Sequence, residues 1–127
     1  MGYARAVVIG PWARVSGTTG YDYDAMTISE DVAEQADQAL RNISKALRNI
    51  SKALRNISKA LATVGMGLED VVRVRYRLPH REDAEACYPV FGQWFRGISP
   101  AATMEVVGLL GEAMRIEIEV TAYRPEH

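Results

Sequence analysis

The sequence predicts an α+β fold, a single sheet built in the order β-β-α-β-α-β-β with two helices covering one of its faces. Three observations carry this expectation. Alternating apolar and polar runs occur near both ends of the chain and in its middle, two stretches of helical spacing separate them, and Gly or Pro punctuates the junctions. A chain of 127 residues is long enough for one ordinary core and too short for two, so residues 1–127 are read as one domain.

The apolar run Val7-Val8-Ile9 stops at the turn dipeptide Gly10-Pro11, and Trp12-Ala13-Arg14-Val15-Ser16 resumes in extended fashion, as in a hairpin. Gly17 to Thr27 reads as a loop. Ser29 is placed to cap a helix, with Glu30 and Asp31 in its first turn, where the helix dipole favours acids. From there no Gly or Pro interrupts a helical pattern until Gly65, much longer than a usual globular helix. The cause is a seven-residue unit, Arg-Asn-Ile-Ser-Lys-Ala-Leu, present at 41–47, 48–54 and 55–61 without a difference. Natural heptads diverge at their surface positions, so this identity points to a recent or deliberate tandem duplication, and we read it as engineered. Two surplus copies add about 21 Å at 1.5 Å per residue. Their Ile and Leu positions alternate spacings of four and three, so the surplus carries an apolar seam suited to another chain's helix and to a higher assembly.

After Gly65-Met66-Gly67, read as a helix terminator, Val72, Val74, Tyr76 and Leu78 alternate with Arg73, Arg75 and Arg77 up to Pro79. Glu82–Arg96 reads as a helix with Ala86, Val90, Phe91, Trp94 and Phe95 on one side, Pro89 implying a kink or a late start, and Gly97 closing it. Met104–Val107 and Arg115–Tyr123 read as two strands joined by 108–113 in an antiparallel hairpin. The uncovered face then carries Arg73, Arg75 and Arg77 with Glu105, Glu117 and Glu119. We expect those charges to pair across subunits, which makes the protein an oligomer.

Composition narrows the function. Hydrophobic residues at 48% and charged residues at 24% are ordinary for a globular chain, and no apolar run approaches a membrane span. The amino terminus lacks the form of a secretory signal, so a cytoplasmic location is expected, with no membrane partner. One cysteine, Cys87, allows neither an intramolecular disulfide nor a cysteine-based metal site. A net charge of −1 with dispersed Lys and Arg gives no nucleic-acid surface. No cofactor motif is present, and no metal is expected. The Asn-Ile-Ser sequons at Asn42, Asn49 and Asn56 lie inside a helix and are discounted. Cys87 reads as a buried thiol because no histidine is near it, and His80 and His127 fall in a loop and at the terminus.

Several motifs together resemble the RidA/YjgF family of reactive-intermediate deaminases: Ser99-Pro-Ala-Ala-Thr-Met-Glu-Val-Val-Gly, Arg115-Ile-Glu-Ile-Glu-Val-Thr-Ala, Val15-Ser16-Gly17, and Leu68-Glu69-Asp70-Val71-Val72. The resemblance implies a homotrimer with its helices outside and small-molecule clefts between subunits. It matches Glu117 to the glutamate that places an attacking water, Tyr3 to an aromatic residue at the cleft mouth, and Ser16 and Gly17 to the pocket wall. The arginine that holds a substrate carboxylate in the deaminases is Ala102 here, followed by Thr103 and Met104 where a small polar residue and a cysteine are usual. Tyr88 stands in place of an asparagine. Alanine offers neither charge nor a bidentate fork.

Glu117 is therefore a candidate general base, with a salt bridge to Arg73, Arg75 or Arg115 as its alternative reading. Arg75 and Arg77 are candidates for a replacement anion anchor, against a simple paired sheet face. Three functions compete: hydrolysis of an imine- or enamine-like metabolite, non-catalytic small-molecule binding, and a structural scaffold. A ribonuclease activity, also described in the family, finds neither paired histidines nor a basic groove here.

Overall fold

The structure, a computed structural model, describes residues 5–57 and 66–125, with side chains of the first helix as far as Asn49. Tyr3, Gly65 and the end of the third heptad copy lie outside the described residues. Strands β1 (Ala6–Ile9), β2 (Trp12–Thr19), β5 (Val71–Leu78), β6 (Ala101–Val106) and β7 (Glu117–Tyr123) form one sheet in the order β1-β2-β7-β5-β6. Helices α1 (Val32–Ile57) and α2 (Ala84–Trp94) belong to the same layer arrangement, and a small ladder of β3 (Tyr21–Asp22) and β4 (Thr27–Ile28) lies in the stretch expected to be loop. Asp22 makes that turn, its Oδ1 accepting from the amides of Asp24 and Ala25 at 3.0 and 3.2 Å.

The α+β class and the two helices stand as expected; three local expectations are corrected. Strands β6 and β7 are not a hairpin. β6 pairs in parallel with β5 at the sheet edge, while β7 runs antiparallel between β2 and β5. Parallel neighbours need a crossover, and the strand–helix–strand run β5-α2-β6 supplies it. The helix cap is Asp31 rather than Ser29: Asp31 Oδ1 accepts from the amide of Ala33 at 3.0 Å, and Ser29 Oγ sits one step earlier, accepting from the amide of Asp31 at 3.1 Å. In α2 a 3-10 turn at Arg81–Asp83 precedes the helix proper, and Cys87, not Ala86, occupies the buried side. Pro89 is tolerated inside α2 because it and Glu85, whose carbonyl loses its amide partner, both face solvent.

The inward side of α1 is Val32, Ala36, Ala39, Leu40, Ile43, Ala46 and Leu47, each nearly or fully buried against Ala13, Val15, Ile116, Ile118 and Val120 of the core. Truncating one of the large members to alanine costs about 2–5 kcal/mol. Among the described side chains, the apolar positions of the repeat that take part, Ile43, Ala46 and Leu47, belong to the first heptad copy. Asn42, in that copy, is buried and donates to the carbonyls of Thr19 and Tyr21 at 3.2 and 2.9 Å while accepting from Gln38 at 2.9 Å. Asn49, one copy later and identical in local sequence, is exposed.

Gln35 fixes where α1 starts along the sheet. Fully buried, its Nε2 donates to the carbonyls of Ser29 and Ala113 at 2.6 and 2.9 Å, and its Oε1 accepts from the amide of Arg115 at 2.8 Å. Gly20 allows this approach, since a Cβ there would stand 2.4 Å from the Gln35 carbonyl oxygen. Arg115 completes the clamp with a two-pronged bond to Asp83, at 2.7 and 3.1 Å, beside its contact with the Glu30 carbonyl.

Candidate functional site

Strand β2 carries one residue too many where it meets β7. Val15 pairs with Val120 and Thr18 with Ile118, so Ser16 and Gly17 together face a single residue, and the strand bulges. The bulge brings Gly17 over the side chain of Glu117. A Cβ at position 17 would lie 2.6 Å from both Cδ and Oε1 of Glu117, so only glycine leaves the carboxylate where it is.

Glu117 is opposite Arg77 in the β5–β7 register, and Arg77 Nη1 donates to its Oε1 at 3.2 Å. Arg77 Nη2 also donates to Glu119 at 3.3 Å, and Arg75 Nη1 reaches the same Glu119 oxygen at 3.2 Å. Glu105 Oε1 stands 3.4 Å from Nε of Arg75 and 3.8 Å from Nε of Arg77. These groups are partly exposed, so each pair contributes about 1 kcal/mol or less. Their value is positional. Two expectations change here: the partner of Glu117 is Arg77 rather than Arg73, Arg75 or Arg115, and the charged pairs close within one chain rather than needing a second. Arg73 instead donates to Thr103 Oγ1 at 2.6 Å, and Arg115 is committed to Asp83.

In front of Glu117 lies a cavity of about 400 Å³, whose lining includes Arg5, Ser16, Gly17, Tyr23, Met114 and Glu117. Ser16, Gly17 and Glu117, expected to share a pocket, do share one. Arg5, Tyr23 and Met114 were not anticipated. No motif marks them, and they meet the site only because the β3–β4 turn and the segment before β7 fold back over the bulge.

The remaining expected residues are elsewhere. Ala102, Thr103 and Met104 are on β6, two strands from β7, which is about 10 Å at the usual strand spacing. Thr103 is in register with Arg75 and shares the charged face, whereas Ala102 is in register with the fully buried Val74 and so faces the opposite side of the sheet from Glu117. One chain therefore does not bring Ala102 and Glu117 into one pocket. Tyr88 is exposed on α2 and absent from the cavity lining. Cys87 is buried, its thiol 3.8 Å from the Val32 carbonyl, and burial together with the nearby Asp83 and Asp31 carboxylates pushes it up to about 11. It stays a neutral thiol at physiological pH and is no nucleophile. Burial likewise raises the Tyr76 hydroxyl far above its ordinary value. Among the described residues, no helix is long and apolar enough to cross a membrane.

Known proteins share this fold. A crystal structure of a YjgF/YER057c/UK114-family protein from Mycobacterium tuberculosis is 34% identical, superposes with a TM-score of 0.76, and is matched over 96% of this chain and 86% of its own. An uncharacterized protein of Streptomyces coelicolor is 31% identical over 97% of this chain and 82% of its own length. The human 2-iminobutanoate/2-iminopropanoate deaminase is 28% identical over 94% of this chain and 78% of its own. The profile of the Endoribonuclease L-PSP family matches residues 1–52 and 48–124, two stretches that overlap inside the repeated heptads. With nearly the whole length matched and the sheet, helices and bulge in place, the chain belongs to the Endoribonuclease L-PSP family, that of the RidA/YjgF proteins.

Proposed function

We propose that this protein is a homotrimer whose intersubunit clefts bind a small imine- or enamine-like electrophile and hydrolyse it with water oriented by Glu117. The observation that carries the reading is the division of the site. Ser16, Gly17 and Glu117 line one cavity, while Ala102, Thr103 and Met104 stand at the far edge of the sheet with Ala102 on the other face. A second subunit's β6 edge placed against the first cavity would complete it. Tyr3 and Tyr88 belong to the same cleft in this reading. In the reaction, water adds its oxygen to the imine carbon as Glu117 takes the proton. Return of that proton to nitrogen gives a carbinolamine, and transfer of its hydroxyl proton to nitrogen then breaks the C–N bond as the C=O forms, leaving ammonia and a carbonyl compound. The human relative's name, an iminobutanoate and iminopropanoate deaminase, supports the substrate class.

The missing carboxylate clamp at Ala102 sets the expected level of activity. Losing charge-assisted hydrogen bonds worth about 2–3 kcal/mol lowers kcat/KM on 2-iminobutanoate by about 30- to 150-fold relative to an arginine-containing family member. Ammonia release measured side by side tests this, and equal rates would refute it. Ala102→Arg should raise the rate, and Glu117→Ala should then abolish it. Light scattering should return a trimer, and a stable monomer at micromolar concentration would overturn the cleft. A second reading, a binding module without turnover, is favoured by the engagement of Glu117 Oε1 with Arg77. The same assay decides it, since binding without ammonia release is its signature.

We further read the three heptads as an engineered tandem duplication, supported by their identity and by the burial of Asn42 beside the exposure of its counterpart Asn49. The surplus copies mediate a higher assembly of trimers. Ile50 and Leu54 repeat the positions of the buried Ile43 and Leu47, so replacing both with Lys should abolish species larger than the trimer and leave the trimer intact. A cytoplasmic location fits this chemistry.

A further inference from the structure

The cavity in front of Glu117 holds a cation that the loss of arginine at position 102 makes significant. Arg5 precedes β1, and its carbonyl accepts from the amide of Ser16 at 2.8 Å, so its backbone is tied to the bulge itself. Its guanidinium lies over the Tyr23 ring, 4.9 Å from the centroid, and Nη2 donates to the Tyr23 hydroxyl at 2.9 Å. Ring and hydroxyl together hold the side chain against the cavity wall, which lowers the entropy lost when a ligand arrives. Arg75, Arg77 and Arg115 are committed to carboxylates, and Arg73 to the Thr103 hydroxyl. Arg5, like Arg73, meets a neutral hydroxyl and no carboxylate. Among the described residues it forms no ion pair, and the Glu117 carboxylate that shares its cavity is already engaged by Arg77. The cavity thus contains an oriented guanidinium whose charge is not cancelled and most of whose five N–H donors remain for a ligand.

We infer that Arg5 is the anion anchor of this cavity and so determines its specificity, selecting small electrophiles that carry a carboxylate. The inference rests on the reading of this cavity as the ligand cleft. An exposed, single-sided arginine grips less tightly than a buried fork, so anion selectivity persists while turnover of imino acids stays low.

The test is a calorimetric titration of the assembled protein with 2-oxobutanoate and with its neutral isostere 2-oxobutanamide. The wild type should bind the anion about tenfold or more tightly than the amide, the worth of one to two charge-assisted hydrogen bonds. Arg5→Gln should erase that preference by weakening the anion far more than the amide, and Arg5→Lys should keep part of it. Should Arg5→Gln fold poorly, salt decides with the wild type alone, since the preference must shrink as ionic strength rises. A preference that survives Arg5→Gln, or one indifferent to salt, overturns the anchor and leaves the cleft standing. Failure of both probes to bind overturns the cleft and the anchor together.

Discussion

Asn42 and Asn49 have the same neighbours in sequence for most of a helical turn on either side, and the structure gives them opposite roles. Asn42→Ala strips the half-buried carbonyls of Thr19 and Tyr21 of their donor and leaves Gln38 without its acceptor. At about 1–1.5 kcal/mol for each carbonyl, the substitution should cost about 2–3 kcal/mol, or a melting temperature lower by about 8–15 °C for a domain of this size. Asn49→Ala removes an exposed amide from a helix interior where alanine is the better helix former, and should lie within about 0.5 kcal/mol of neutral. A slip of α1 by seven residues would carry Asn49 into the empty place, but it would also withdraw Gln35 from three hydrogen bonds and Leu40 from the core. That cost exceeds the defect it repairs. Urea denaturation at one fixed protein concentration measures both variants, because assembly makes stability depend on concentration. Equal losses from the two substitutions, or a larger loss at Asn49, would show that another copy is docked and that the unique residues before the repeat do not set its register.

Gly17→Ala should be nearly neutral for stability, below about 1 kcal/mol, because the group it meets is the mobile end of Glu117, yet it should abolish ligand binding and turnover by displacing that carboxylate from Arg77; retained activity would refute the role of the bulge. Asp83→Ala should cost about 1–3 kcal/mol in denaturation, since it leaves the partly exposed Arg115 guanidinium with the Glu30 carbonyl but without its two-pronged partner at the point where α1, α2 and β7 meet. Cys87 contributes stability as a neutral thiol, fully present below its unfolded value of 9.0 and lost as pH rises toward about 11, so the fold should weaken by about 2–3 kcal/mol across that window. Cys87→Ala should flatten that part of the pH profile, and an unchanged slope would assign it to other groups such as Tyr76.

Much of the fold was legible because alternation reports which face a residue takes. Val74 and Tyr76 point inward and Arg73, Arg75 and Arg77 outward, as their spacing says. Alternation does not report which strand is the neighbour, and there the reading failed: the link at 108–113 looked like a hairpin loop, whereas β6 had already been carried to the edge beside β5 by the intervening helix. The same gap in register information hid the pairing of Glu117 with Arg77, which depends on which of three equivalent arginines lies opposite. Within the site, Gly17 and Glu117 were marked by motifs. Arg5 and Tyr23 were not, because neither has a partner near it in sequence, and only folding places one over the other beside the bulge.

The single surplus residue in β2 also separates what the sheet needs from what the cavity needs. Ala13, Val15 and Thr18 all point inward, although two steps separate the first pair and three the second. Deleting Ser16 would restore even parity, keep every inward side chain inward, and set Gly17 opposite Glu119 in a regular ladder. The core would lose nothing by the deletion. Such an irregularity is therefore not demanded by packing, and the chain's tolerance of insertions and deletions at this point should be asymmetric: removing one residue yields a sound sheet with its cavity closed, while removing two inverts the strand and exposes the core.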